Sequence, residues 1–486
     1  MKKFIALSAI AALSTGAFAA EDLSAKIADL EAQLKALNAK VNEVKAHDAG
    51  DNLKFNVDFR TSIDSLNYKM ADGSEAENPD LLTNRLWLNM GYAVDQNNIF
   101  KGTLSYLKAY GDSANHSQAN VNPGYAAFDW VTNENATDNT LKVKEAYWLY
   151  MNDTFLGTDH PWTASFGRRP STDGLGINLR ENAEAKSPLS HTVNVEFDGA
   201  SFKFDNLLPT PGDSFKICLG RGLTNAKSRF SMYGDDYAAD TTASNTEDVD
   251  MYGFIFVPYD DGQYSVATNF ARADHLIGFK NSAYDRDTTP SYYTSTMTEA
   301  NMQTSFPAFY DAGSIDLATA MFKAEGIGNG ISPALDDTKF FASWAMSKTH
   351  PGGTIGRMLG SDESKTGNSI WLGVNAPCPL TNDGRWGIEW NKGSKYWRSV
   401  TYAEDTMIGS KIAARGTAWE VYYNKPLTKA LNLNVRYTAI DYDYTGSNSF
   451  FGDDGAPMEI STLPSAYKSM YVDKATDIKA SISYRF

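Results

Sequence analysis

Several things are scarce in this 486-residue chain, and each scarcity excludes a class. Two cysteines cannot staple so long a chain, so a disulfide-built scaffold is excluded. Beyond the first twenty residues no stretch offers about 20 consecutive apolar residues, which excludes a polytopic helical membrane protein. Positive charge is in deficit, with 44 Lys and Arg against 59 Asp and Glu and a net charge of −15. The basic face that a nucleic-acid partner requires is therefore missing. Histidine is rare and scattered (His47, His116, His160, His191, His275 and His350), with no two at metal-ligand spacing. HExxH, GxSxG and P-loop patterns are absent, so no catalytic residue, metal or cofactor is expected. Cys218 falls in a predicted strand and Cys378 in a predicted turn, and two isolated thiols are expected rather than a disulfide. Aromatic residues, by contrast, are plentiful at 10 Trp, 26 Tyr and 25 Phe, which excludes wholesale disorder.

The opening residues read as an address. Lys2 and Lys3 precede a short apolar stretch from Phe4 to Leu13, and Ala17-Phe18-Ala19 is a small-x-small cleavage site. Residues 1–20 are thus predicted to be a secretory signal peptide. From 21 to 46 the apolar residues Leu23, Ile27, Leu30, Leu34, Leu37, Val41 and Val44 are spaced alternately by four and three. That is the seam of a left-handed coiled coil. So narrow an apolar stripe does not fold alone in water, so oligomerisation is implied, with packing on the rest of the chain or on the cell wall as the alternative. Residues 47–52 read as a linker.

From residue 53 the period changes to two. Leu53, Phe55, Val57, Phe59 and Ile63 alternate with Lys54, Asn56, Asp58, Arg60 and Ser62, the pattern of a strand with one apolar and one wet face. About sixteen such segments recur to the C-terminus, most of them long enough to cross a bilayer at a tilt. Connections after even-numbered segments are short and those after odd-numbered ones long, the parity expected of a membrane barrel with short turns at one end and long loops at the other. At 193–205 the apolar face switches from odd to even positions, and a bulge at Asp198-Gly199 is the expected cause. The expected fold is all-β: a transmembrane antiparallel β-barrel of about 16 strands over 53–486, preceded by a short coiled-coil helix.

The last segment alternates Ile478, Ala480, Ile482, Tyr484 and Phe486 with polar residues, and the chain ends at Phe486. It resembles the C-terminal strand of bacterial outer-membrane barrels, in which the final aromatic residue, here Phe486 with Tyr484 before it, is the insertion signal read by the barrel-assembly machinery. The expected location is therefore the bacterial cell outer membrane, in contact with lipid and lipopolysaccharide. Sixteen strands leave room for an aqueous channel. The predicted inward residues are polar and of both signs, among them Arg60, Arg85, Glu389, Glu420, Arg436 and Lys479.

Gly167-Arg168-Arg169-Pro170 opens the third long loop, which continues through Asp173 and Gly174 to Leu179-Arg180-Glu181. Trimeric general porins fold their third loop into the lumen opposite basic wall residues. By that resemblance Arg169 and Arg180 face Asp173 and Glu181 at a constriction, with Arg60, Arg85 and Arg436 as candidate rungs on the wall. The alternative is an ordinary solvated loop. The chain as a whole also resembles a family of outer-membrane proteins of Campylobacter-like bacteria, domain of unknown function 3373. The residues that carry this are Asp51-Asn52-Leu53-Lys54-Phe55, Asn84-Arg85-Leu86-Trp87-Leu88-Asn89-Met90, Gly167-Arg168-Arg169-Pro170-Ser171-Thr172 and Asn391-Lys392-Gly393-Ser394-Lys395-Tyr396-Trp397. That family brings no substrate. The expected function is a porin-like channel for passive diffusion of small hydrophilic solutes, homo-oligomeric with a trimer favoured. The alternatives are a structural protein tethering membrane to cell wall through its N-terminal helix, and a substrate-specific channel.

Overall fold

Strands with one apolar face leave two problems, a hydrocarbon-compatible surface to cover and open edges of unpaired N–H and C=O groups. The computed structural model solves both by closure. It describes residues 54–486 apart from 113–128, 135, 137, 170, 187–188, 225–247, 281–307, 353–356, 403 and 448–455. The expected signal peptide, heptad helix and linker lie outside the described residues.

Sixteen strands form one sheet. The first eight are β1 (Lys54–Met70), β2 (Glu75–Ala93), β3 (Asn98–Ala109), β4 (Lys142–Asn152), β5 (Trp162–Arg169), β6 (Phe197–Asp205), β7 (Ser214–Leu223) and β8 (Val249–Asp260). The second eight are β9 (Tyr264–Lys280), β10 (Ala308–Glu325), β11 (Lys339–Pro351), β12 (Thr366–Pro377), β13 (Arg385–Gly393), β14 (Gly416–Pro426), β15 (Leu431–Tyr442) and β16 (Val472–Arg485). Each pairs antiparallel with its sequence neighbours, and β1 pairs with β16, so the barrel is closed. The seam runs from Asp58 opposite Arg485 to Met70 opposite Val472. Phe486 and Val57 seal it by exchanging backbone hydrogen bonds of 3.1 and 3.0 Å.

The alternation read from sequence falls as expected. Phe55, Phe59 and Ile63 of β1, Trp419 and Val421 of β14, and Ile478, Ile482 and Tyr484 of β16 are exposed on the outside. Outward aromatic rings meet across strands, as Trp148 on Phe166 (5.6 Å between centroids) and Phe254 on Phe270 (5.9 Å). Inward positions carry Arg60, Ser62, Glu389, Glu420, Arg436 and Lys479, all buried.

Short turns join strands at one end. At 94–97 the Asp95 carboxylate accepts from the backbone N–H of Asn97 (2.8 Å) and Asn98 (2.7 Å), so the side chain closes the turn.

Two boundaries differ from the sequence reading. The first connection is 71–74 alone, because β1 and β2 continue as a hairpin in which Lys69 opposes Glu75 and Asn67 opposes Glu77. The acidic residues there sit on strand, since backbone pairing does not need apolar side chains once the hairpin is in water. At the other boundary β6 starts only at Phe197 and pairs with β5 and β7 without a register shift, so no bulge lies at Asp198-Gly199. The apparent change of face arises because 193–196 belongs to a different segment, inside the barrel.

Val421 sits at the centre of β14 with its side chain outward. Val421→Arg is expected to cost about 2–4 kcal/mol in lipid, because the guanidinium meets hydrocarbon at mid-depth. Denaturant midpoints of the protein in vesicles check this, with the exposed-turn variant Asn97→Arg as the near-neutral control.

Candidate functional site in the barrel lumen

Two long connections turn inward and pack on the inner wall. The β5–β6 segment, 171–196, carries a single helical turn, α1 (Ile177–Arg180). The β13–β14 segment, 394–415, carries a 3-10 turn at Lys411–Ala413. They join as a parallel bridge: Asn194 N–H donates to the Val400 carbonyl (2.7 Å) and Val400 N–H to the Thr192 carbonyl (2.8 Å). A third piece is added where Glu196 N–H donates to the Trp130 carbonyl (2.8 Å). These backbones thus find in one another the partners that buried peptide groups require.

Apolar side chains lock the segments to the wall. Ile177, Leu179, Leu189 and Ile412 pack on Phe341, Trp371 and Tyr422. Val193, Val195, Val400 and Tyr402 pack on Met251, Ala273, Ile315 and Leu317. The chain can pass this close only where a side chain is missing: Gly176 has φ +104°, and a Cβ there would lie 2.2 Å from the Trp371 ring. His191 is fully buried between Trp371 and Trp397, its ring nitrogens 2.8 Å from Ser343 Oγ and 2.9 Å from Ser369 Oγ. Burial pushes its pKa down to about 3, so it is a neutral imidazole at physiological pH.

The charges are concentrated where segment meets wall. Asp405 takes the Arg60 guanidinium at both carboxylate oxygens, Arg85 at 3.2 Å and Lys479 at 3.8 Å. Glu181 holds Arg436 at 2.5 Å and Arg485 at 3.7 Å. Arg180 reaches Glu404 at 2.8 Å and Glu420 at 3.3 Å. Lys411 bridges Glu420 (2.5 Å) and Glu389 (2.7 Å). Each of these wall charges thus meets an opposite charge supplied by a segment. Burial alone would raise the Asp405 carboxyl, but the Arg60, Lys479 and Arg85 charges outweigh it and hold Asp405 well below the usual carboxylate range.

Of the residues expected at a constriction, Arg60, Arg85, Arg180, Glu181 and Arg436 converge on this network. Arg180 faces Glu404 and Glu420 rather than Asp173, because α1 aims it at β14. Arg169 and Asp173 lie elsewhere. Arg169 stacks 4.5 Å over the Tyr147 ring, and Asp173 neighbours Lys186 at 3.9 Å. Tyr484 and Phe486 sit outward at the seam, and the seven heptad residues lie outside the described residues. Sequence reasoning missed Glu404, Asp405 and Lys411. The available signal was composition, since Trp397, Val400, Tyr402, Ile408 and Ile412 are too many large apolar residues for a solvated loop. Cys218 and Cys378 are both free thiols.

Space remains on the opposite side, against β5–β9. A small cavity lies between the 171–196 segment and this wall. Arg169, Phe197, Lys216, Cys218, Met251 and Ile255 line it, with Ser171 and Val193 from the segment.

Removing one member of a buried ion pair strands its partners, at about 3–5 kcal/mol. Asp405→Asn is expected to destabilise the folded barrel by roughly that amount and to free the 394–415 segment for proteolysis. The dependence on acid follows from the sign of the shift. Asp405 titrates below its ordinary value of 3.8 when folded, so the unfolded chain binds more protons at low pH. Its stabilisation is complete above about pH 5 and is lost as pH falls below about 4. Thermal midpoints from pH 7 to pH 2.5 should fall for the wild type and change less for Asp405→Asn.

Solved structures match most of the chain at low identity. An anion-selective porin from Comamonas acidovorans is 12% identical, with a TM-score of 0.47, 90% of this chain and 99% of that one covered. Salmonella typhi OmpF in complex with daunomycin is 12% identical at a TM-score of 0.46, covering 90% of this chain and 99% of that one. Pseudomonas putida OprB, in a high-pH structure, is 11% identical at 0.45, covering 91% and 96%. No match is found among curated proteins. The family model described as protein of unknown function (DUF3373) matches residues 75–486, the whole barrel from β2 onward. The chain belongs to that family.

Proposed function

We propose that the protein is a porin-type channel of the bacterial outer membrane, narrowed from within by the 171–196 and 394–415 segments, through which small hydrophilic solutes diffuse. The observation that carries this reading is the combination of a closed sixteen-stranded wall with an apolar exterior and an interior of paired charges. A barrel of this strand number is wider than its own wall side chains can fill. The free space therefore depends on how far the two segments occupy the lumen. Arg60, Arg85 and Arg436 are in direct contact with Asp405 and Glu181, so these pairs hold the narrowing segments against the wall.

One observation favours a second reading. The wall residues at the network are covered rather than wet; Arg60, Arg85, Glu420 and Arg436 are each no more than 2% exposed. A barrel occluded along this side would serve as a membrane anchor, with the heptad helix as its tether to the cell wall.

Single-channel recording in planar bilayers separates the two. The open channel predicts discrete steps from the wild type, closing in thirds if the protein is trimeric, and larger steps when residues 399–410 are deleted. Silence from an inserted, folded wild type, with steps only after that deletion, would establish the occluded barrel instead. Self-association is assigned to the heptad residues Leu23 to Val44. Deleting 21–46 is expected to leave the barrel folded while shifting the cross-linked species from oligomer to monomer.

A further inference from the structure

The outward face of the wall stops being apolar sooner than the length of its strands suggests. Along β9 the inward Ala267, Asn269 and Ala271 are buried, so Tyr264, Val266, Phe270 and Arg272 point out. Arg272 is thus an outward charge only eight residues from Tyr264, toward the long-loop end. The register continues this tier sideways, because Asp316 of β10 lies opposite Arg272 and Lys348 of β11 lies opposite Asp316. The same step recurs around the barrel. On β13 the outward run from Trp386 to Trp390 meets Lys392 six residues from its start, and on β7 the run from Phe215 to Leu219 meets Arg221 after six. On β15 Leu433 is followed by Asp441 after eight. Beside the seam the run is longer, from Tyr484 to Lys474 on β16.

These outward charges are paired with one another. Arg272 meets Asp274 at 2.9 Å and Asp316 at 3.0 Å, and Arg221 meets Asp250 at 2.7 Å. Lys392 meets Asp443 and Lys474 meets Asp441, each at 2.6 Å. All of them are partly exposed. A lysine or arginine can lift its head out of hydrocarbon on a long stem, but Asp316 and Asp441 have no such reach. The tier therefore marks where hydrocarbon ends. At the other limit Tyr264 and Trp386 are the last outward residues before the short turns, where such rings sit at headgroup level. Six to eight residues, at about 3.3 Å each and a tilt of about 40°, rise ~15–20 Å. A membrane barrel ordinarily carries an apolar band of about 25 Å.

We infer that the outer wall is matched to a bilayer with a thin hydrocarbon core, such as short acyl chains supply. This deepens the outer-membrane reading, on which it rests, by naming the kind of lipid surface that the wall fits. A thicker bilayer must either thin around the wall or submerge the paired charges, and both carry a cost. The bacterial outer membrane is thinner than average, so the same cost discriminates against insertion in a thicker membrane.

The test is equilibrium unfolding by denaturant of the full-length protein in vesicles of short-chain dilauroyl- or long-chain dioleoylphosphatidylcholine. The wild type is expected to have an unfolding equilibrium constant ~10-fold larger in the dioleoyl bilayer. Lys348, exposed on the tier, supplies the variant. Lys348→Leu should leave stability within about twofold of the wild type in dilauroyl vesicles, where the position lies above hydrocarbon. In dioleoyl vesicles, where lipid covers the position, it should recover ~10-fold. The wild-type comparison stands by itself if the variant does not fold.

Equal stability of the wild type in the two bilayers, greater stability in the dioleoyl one, or the same effect of Lys348→Leu in both would each overturn the match. Bilayer recordings on the same preparation keep the readings apart. Conductance steps from a barrel equally stable in both lipids would leave the channel and remove the match. A chain that inserts into neither would overturn the match together with the outer-membrane reading.

Discussion

Hydrocarbon offers no hydrogen-bond partner to a peptide group, and nearly everything else in this molecule depends on how that requirement is met. A single open sheet of this size would leave two strand edges unsatisfied. Pairing β1 with β16 removes both, and the Val57–Phe486 exchange carries the ladder to the last residue. Closure then fixes the alternation. One face of every strand must suit lipid, and the other must face whatever the barrel encloses. The same step encloses a lumen wide enough to take two folded segments, which a smaller barrel could not accommodate.

Enclosure creates the second problem, that of charge. Strands β1, β2, β13, β14, β15 and β16 point arginines, lysines and glutamates inward. Once covered, each of these costs several kcal/mol unless an opposite charge meets it. The 171–196 and 394–415 segments bring Arg180, Glu181, Glu404, Asp405 and Lys411 to those positions. Wall and segments are therefore mutually dependent, since the cations that meet Asp405 and Glu181 all stand on the wall, and Arg60 and Arg436 meet their carboxylates only on the segments. The apolar contacts of Trp371, Trp397 and Ile412 secure the arrangement, and His191 joins it as a neutral ring between two serines.

This dependence divides the lumen. Where the segments press against the wall, charges are paired and water is excluded. Against β5–β9, where small residues thin the wall, a small space remains, lined by Arg169, Lys216 and mostly apolar side chains.

The number of strands, their order and their lipid-facing residues were legible in the sequence. Period-two alternation is local, and a bilayer tolerates no exceptions to it. All sixteen expected segments are strands, and Phe59, Val421 and Ile482 face outward as their spacing requires. Inward positions such as Arg60 and Arg436 were also legible, but not their surroundings. A polar residue on an inner face reads the same whether it meets water or an opposite charge. The pairing of Asp405 with Arg60 joins residues 345 apart, and no local period encodes so distant a contact. The hairpin extension of β1 and β2, and the capture of 193–196 by Val400 rather than by β6, likewise depended on partners from distant sequence. The sequence by itself determined a closed barrel because the solvent imposes that pattern residue by residue. Only the tertiary structure decided what fills the barrel, because that depends on which distant charges and apolar side chains meet once the wall has closed.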